Sequence, residues 1–258
     1  MPAELLSTSH GQTMVLTLSN PEYRNALGPE MYAAGVEALS VAESSPDIRS
    51  VVIVGEGNFF SAGGNLNRLL ANRSQPAEVQ AQSIEGLHSW IESIRSFPKP
   101  VVAAVEGAAA GAGFSLALAC DFIVAAHDAV FVMAYRSVAL PDGGGSWSLA
   151  QQLPRQLATE LLMCGEKVAA QRLLELGVLN RLAPPGNALA EALALAHKLN
   201  QRAPNALASI KELLNDAATN ALHQQLASER DHFVRNLHHA NAGTGIAALL
   251  AKQTPTYE

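Results

Sequence analysis

Apolar residues recur along this chain in two rhythms, and the rhythm changes part-way. Met14–Leu18 alternates and is rich enough in β-branched residues for a strand, which Asn20-Pro21 ends. Pro29 then opens a helix whose apolar positions, Met31, Ala34, Val36, Leu39 and Val41, fall at helical spacing. The uninterrupted run Val51–Val54 predicts a buried strand. Ile84, Leu87, Ile91 and Ile94 mark one face of a second helix, closed by Phe97-Pro98-Lys99-Pro100. Val101–Val105 predicts another buried strand, residues 114–120 a short helix, and Phe122–Ala126 and Val130–Met133 two further strands. Ser146 predicts the cap of a helix through Leu149 and Leu153. From Asn187 onward the pattern is helical only, with faces at Leu189, Leu193, Ala196 and Leu199, then Ile210, Leu213 and Leu214, then Leu222 to Leu237. The chain therefore divides near Pro184-Pro185-Gly186 into an α/β core, residues 1–186, and a helical region, residues 187–258. No repeat of fixed period is present.

Two turns of small residues interrupt this pattern where a strand should give way to a helix. Phe59-Phe60-Ser61-Ala62-Gly63-Gly64-Asn65-Leu66 follows the strand at Val51–Val54. Glu106-Gly107-Ala108-Ala109-Ala110-Gly111-Ala112-Gly113 follows the one at Val101–Val105. Small residues let a ligand approach the backbone, and free N–H groups at a helix start point toward it. Two such turns brought together would hold one oxygen between two donors, an oxyanion hole worth about 3–4 kcal/mol per donor to a developing charge.

Composition narrows the partners. Hydrophobic residues make up 48% of 258 positions, enough for a sizeable core, but aromatics only 5%, which suits close helix–sheet packing better than a β-sandwich. A net charge of −6 without a basic run argues against nucleic acid or an anionic membrane as the main partner. Cys120 and Cys164 stand far apart in apolar contexts and read as buried free thiols, not a disulfide or metal pair. The adjacent His238 and His239 cannot share a helix face, so no metal site is expected there. His88, two residues before Trp90, reads as part of a solvated or interface helix. The first residues carry neither a basic n-region nor a signal-like apolar stretch. Glu106, Ser115 and Asp121 break up the apolar segment 101–126, so a cytoplasmic protein of a reducing compartment is expected, without a membrane span.

The order of these motifs resembles the crotonase, or enoyl-CoA hydratase/isomerase, superfamily over nearly the whole chain. Asn20-Pro21 with Arg24-Asn25-Ala26-Leu27 is similar to its early CoA-binding segment. Phe60–Leu66 resembles its first oxyanion-hole motif, and Lys99–Gly113 with Leu116–Asp121 its second. Pro141-Asp142-Gly143-Gly144, Leu153-Pro154-Arg155 and Glu175–Leu179 follow in the family's order, and Gly245, Ala248 and Lys252 resemble its last helix. The resemblance implies a ββα spiral core with a C-terminal helical trimerisation region, assembled as a homotrimer or dimer of trimers. It implies an acyl-CoA thioester whose carbonyl sits between the N–H groups of Gly64 and Ala112. No separate cofactor is expected, CoA being part of the substrate. Arg24, Ala26, Ala62, Asn65, Leu66, Phe233 and Lys252 are the implied contacts to CoA and acyl chain, Lys252 from a neighbouring subunit. Ala134, Tyr135, Val138 and Trp147 are candidates to shape the acyl pocket.

The chain departs from the family where hydration needs two glutamates to hold water. Those positions fall at Ser115 and about Tyr135, and neither is an ordinary acid or base near neutral pH. Asp142 remains, in a loop where several isomerases of the family carry a single acid/base carboxylate. It is equally a residue that Pro-Asp-Gly turns favour. Ser115 reads as a helix-start cap. The loop before Pro141 is one residue short for the family, so Tyr135 and Asp142 compete for the place facing the substrate. Three readings follow: an isomerase using Asp142, a hydratase or another crotonase reaction with atypical residues, and a catalytically silent acyl-CoA-binding paralogue. A carboxylate facing the thioester separates the first from the third.

Overall fold

Alternate residues of the buried strands face opposite ways, and each set finds its own cover. The structure, a computed structural model, describes residues 3–257. Its first elements are β1 (Glu4–His10), β2 (Thr13–Ser19), α1 (Pro29–Ser44), β3 (Ser50–Gly55), α2 (Leu66–Asn72), α3 (Ala77–Ser96) and β4 (Val101–Val105). Then come β5 (Ala108–Ala110), α4 (Ala112–Ala119), β6 (Phe122–Ala126), β7 (Val130–Val132), α5 (Ser146–Gln152), α6 (Arg155–Cys164), β8 (Val168–Ala169), α7 (Ala170–Glu175) and β9 (Arg181–Ala183). Four helices close the chain: α8 (Ala188–Asn200), α9 (Pro204–Asp216), α10 (Leu222–Leu237) and α11 (Ala240–Leu250).

Six strands form one sheet in the order β1-β2-β3-β4-β6-β9, and β5-β7-β8 form a second. Only β1 runs antiparallel within the large sheet, paired with β2 from Glu4↔Ser19 to His10↔Thr13. The chain passes from β4 to β5 to α4, then from β6 to β7 and on to α5, alternating between the sheets. These are the ββα turns of the expected spiral. Val51, Ile53, Val101, Ala103 and Val105 face the main core with Trp90 and Leu87 of α3 and Phe114 of α4. Val52, Val54, Val102, Ala104 and Val124 face the other way, against Ala188, Ala192, Leu195 and Ala196 of α8.

This second core changes one feature of the expected layout. The helix after Asn187 does not begin an appendage; it covers the rear of the sheet. Glu106 fastens its start, accepting hydrogen bonds from the N–H groups of Gly186 (3.0 Å) and Ala188 (2.7 Å). The outlying helices begin at Pro204. Of these, α9 is tied back by Lys211, which bonds Asp121 and the Ile94 carbonyl at 2.8 Å each. Cys164 is exposed, not buried, because it ends α6 at the surface; both cysteines are free. Among the described residues no helix is long and apolar enough to cross a membrane, and no cluster of three metal-ligating side chains occurs.

Candidate active site

The first small-residue turn is held by asparagines, not only by its glycines. Asn25, in a left-handed conformation (φ 56°), is buried. Its side-chain amide donates to the carbonyls of Glu56 (2.9 Å) and Phe59 (2.8 Å), and its Oδ1 accepts from the Asn20 N–H at 3.1 Å. Ser61 Oγ donates to the Asn25 carbonyl at 2.7 Å, Ala62 N–H to Arg24 at 2.9 Å, and Leu27 N–H to Gly63 at 2.7 Å. The segment 20–27 is thus zipped along the turn 59–64. The turn is in turn bridged to β5: Ser61 N–H donates to Ala108 (3.0 Å), and Ala110 N–H to Ser61 (2.9 Å).

That bridge brings the two turns together. Gly63 adopts φ +89°, and a Cβ there would lie 2.5 Å from the Ala110 carbonyl oxygen and 3.2 Å from the Ala112 nitrogen. Gly111 takes φ 47° and ψ −120°, a glycine conformation that launches α4, so that Ala112 is its first residue. The helix starts two residues earlier than its apolar pattern suggests, which leaves the Ala112 N–H among the unpaired donors of a helix N-terminus. The Gly64 N–H likewise donates to no acceptor within the described chain. Both groups border a cavity of about 910 Å³.

Another part of the wall is the loop before α5. Asp142 Oδ2 accepts three backbone hydrogen bonds, from Gly144 (3.1 Å), Gly145 (2.8 Å) and Ser146 (2.6 Å). It thereby caps α5, the task that sequence reading gave to Ser146. Oδ1 is buried and has no partner. Tyr135 lines the cavity too, and its hydroxyl is also buried without a complete hydrogen bond. Ser115 and Gly143 lie beside it, but Ser115 Oγ donates to the Gly111 carbonyl at 3.2 Å. Burial pushes the Tyr135 hydroxyl up to about 12; Ser115 and the Gly143 N–H oppose this and the Asp142 charge adds to it. The tyrosine is therefore a neutral donor at physiological pH. Ser115 is a fully buried residue inside α4, not a cap at its start.

The cavity gathers Gly64, Ala112, Tyr135 and Asp142, with Ala62, Asn65 and Leu66 at the rim of the first turn. Ala134, Val138 and Trp147 also border it. Asn65 has a structural task as well: its side chain caps α2 by accepting from the Arg68 N–H at 3.2 Å. Four expected contacts lie outside the cavity. Ala26 is buried in the segment 20–27. Arg24 is exposed, with its guanidinium over the Phe59 ring at 5.2 Å. Phe233 and Lys252 are exposed on α10 and just after α11. His88 is half-buried at the cavity, contrary to expectation: α3 turns that face toward the Asp142 loop, where its Nε2 lies 3.1 Å from the Gly143 carbonyl. Sequence reading missed Asn25 as the clamp of the first turn. Its signal was the polar pair Asn20 and Asn25 flanking a proline turn.

Two backbone amides without an acceptor and a carboxylate with one unpartnered oxygen thus belong to residues lining one largely apolar cavity. Residues 9–258 match the family model described as enoyl-CoA hydratase/isomerase. A crystal structure of an enoyl-CoA hydratase from Polaromonas sp. superposes with a TM-score of 0.97 at 70% identity, covering 98% of this chain and 99% of that one. The 1,2-epoxyphenylacetyl-CoA isomerase of Escherichia coli is 35% identical, covering 98% of this chain and 97% of its own length. The 2,3-dehydroadipyl-CoA hydratase of the same organism is 32% identical, covering 99% of each. The chain belongs to the enoyl-CoA hydratase/isomerase family, within the crotonase superfamily. Acyl-CoA thioester substrates fit that family.

Proposed function

We propose that the protein is an acyl-CoA isomerase that moves a double bond through a thioester enolate, with Asp142 as its single proton shuttle. The observation that carries this reading is the Asp142 carboxylate, anchored through Oδ2 by three N–H groups and left with a buried, unpartnered Oδ1 at the cavity wall. The thioester carbonyl would accept from the Gly64 and Ala112 N–H groups. Oδ1 removes a proton from the carbon that becomes the enolate terminus, and the negative charge moves onto the carbonyl oxygen between the two amides. The protonated carboxyl then returns the proton further along the chain, so the double bond shifts with no net loss of atoms. Tyr135, kept neutral by burial, would donate a hydrogen bond within the same pocket.

Two features support isomerisation over hydration. Ser115 is buried and bonded to Gly111, and Tyr135 is no base, so no second carboxylate stands where water would need one. Arg24 and Lys252 would bind CoA phosphates from outside the cavity, with Phe233 against the CoA arm. Assembly as a trimer or dimer of trimers, with Lys252 from a neighbour, is supported by the exposed apolar side chains of α9–α11, among them Leu214, Leu222, Phe233, Leu249 and Leu250. The test is product analysis with straight-chain, branched and aromatic enoyl-CoA thioesters. A shifted double bond with solvent hydrogen next to the thioester is expected. Hydroxyacyl-CoA as the main product from every substrate would show the reaction to be hydration.

A further inference from the structure

The cavity runs along α3, and its two ends differ in chemistry. Gln80 borders one end, near α2, whose Asn72 side chain donates to it at 2.7 Å. Arg95 borders the other, fifteen residues later, about 22 Å along a helix. The reacting level lies between them. A Cβ on Gly143 would lie 3.7 Å from Ile84, and one on Gly144 would lie 3.1 Å from Ile91, so the Asp142 loop packs on that stretch of α3. Arg95 stands four residues past Ile91, about 6 Å further along the helix.

The Arg95 guanidinium is held in place but not neutralised. It lies over the Trp147 ring at 4.5 Å, and one of its nitrogens donates to Asn215 Oδ1 at 2.8 Å, while the Asn215 amide returns a bond to the Arg95 carbonyl at 2.8 Å. Among the described residues no carboxylate comes within ion-pair distance of it. The acid whose charge reaches it, Asp121, is already bonded to Lys211 and to the Val101 N–H, at 2.8 Å each. Burial lowers the pKa of Arg95 from its ordinary value, the mark of a partly desolvated cation. The remaining nitrogens keep donors for a planar, two-oxygen acceptor, the geometry in which arginine binds best. Glu92, three residues earlier on α3, also borders the cavity but is exposed and makes no ion pair with Arg95. A largely apolar cavity with such a guanidinium in its wall is poorly matched to a chain ending in methyl.

Resting on the acyl-CoA reading above, we propose that Arg95 sets the substrate class: the acyl chain ends in a carboxylate, held by the guanidinium against Trp147. Calorimetry with saturated, unreactive acyl-CoA thioesters tests this, using ω-carboxylated and methyl-terminated chains of matched length over a homologous series. The carboxylated ligand should bind about ten- to a hundredfold more tightly at its best length, the range of a charge-assisted hydrogen bond. Arg95→Gln should erase that preference while leaving the methyl-terminated ligand unchanged, and Arg95→Lys should keep part of it. Binding of the methyl-terminated ligand reports that each variant is folded. If Arg95→Gln does not fold, the wild-type comparison and Arg95→Lys still decide. Equal wild-type affinity for the two ends, or a preference that survives Arg95→Gln, overturns the role of Arg95 alone. Failure of the wild-type protein to bind any thioester would overturn the acyl-CoA reading as well.

Discussion

Replacing Asp142 by asparagine and by alanine separates its two roles, because the structure gives each carboxylate oxygen a different task. Oδ2 closes three backbone N–H groups at the start of α5, and Oδ1 is buried without a partner in a residue that lines the cavity. Asparagine can set its carbonyl oxygen where Oδ2 was, since the reverse orientation would point its amide at three donors. The loop should hold, and stability should change by no more than about 0.5 kcal/mol. The amide in place of Oδ1 cannot accept a proton. Turnover should therefore fall by about a hundred- to ten-thousandfold, or about 2.7–5.5 kcal/mol of barrier, with thioester affinity nearly intact. Alanine loses both tasks. Its turnover should fall at least as far, and the lost cap should cost about 0.5–2 kcal/mol of stability. The assay pairs kcat for the best enoyl-CoA with binding of an unreactive thioester and thermal unfolding. A folded Asp142→Asn protein retaining turnover within tenfold of wild type would refute the assignment. Equal destabilisation by both variants would refute the cap geometry.

Ser115→Ala should alter turnover far less than Asp142→Asn, because the serine hydroxyl is spent on the Gly111 carbonyl; abolished activity would contradict this. Gly63→Ala should cost about 1–3 kcal/mol of stability and most activity, since the new methyl meets backbone at 2.5 Å and φ is +89°; thermal unfolding and kcat/KM check it. Lys211→Met should destabilise by about 0.5–1.5 kcal/mol in denaturant, since the partly exposed Asp121 loses its ion pair and keeps only the Val101 N–H. Tyr135 titrates at about 12 in the fold against about 10 unfolded, so the unfolded chain loses its proton first. Stability should be intact below about pH 10 and fall between about 10 and 12, with a shallower fall in Tyr135→Phe; equal slopes would contradict the burial.

The strands and turns that bring Gly64 and Ala112 to the cavity were legible because each buried strand reads as a short apolar run beside small residues. Helix α1 matched its apolar spacing because Met31 and Leu39 pack in the core, whereas the apolar positions of α10, Leu222, Leu226 and Leu237 among them, are exposed. The edge strand β1 escaped notice: beyond Leu5-Leu6 it is Ser-Thr-Ser-His, largely exposed, and its structure comes from pairing with β2. The short helix α2 has no buried residue and rests on the Asn65 cap. Periodicity showed the apolar stripe of α3 but not its division. Trp90 and Ile94 are packed in the core, Leu87 is buried there and also borders the cavity, and Ile84 and Ile91, with His88 and Arg95, border the cavity. Motif order placed Asp142 and Tyr135 as rivals. Both border the cavity, and the distinction between them lies in hydrogen bonding that no sequence pattern carries: an anchored carboxylate with one free oxygen, and a hydroxyl that burial keeps protonated.

The central claim is that one thioester carbonyl sits between two backbone amides with one carboxylate oxygen beside the neighbouring carbon. A crystal structure with an unreactive acyl-CoA thioester tests it directly. The carbonyl oxygen should lie about 2.7–3.1 Å from both the Gly64 and Ala112 nitrogens, with Asp142 Oδ1 facing the carbon next to the thioester. A carbonyl bound away from those amides, or a side chain other than Asp142 facing that carbon, would contradict the account.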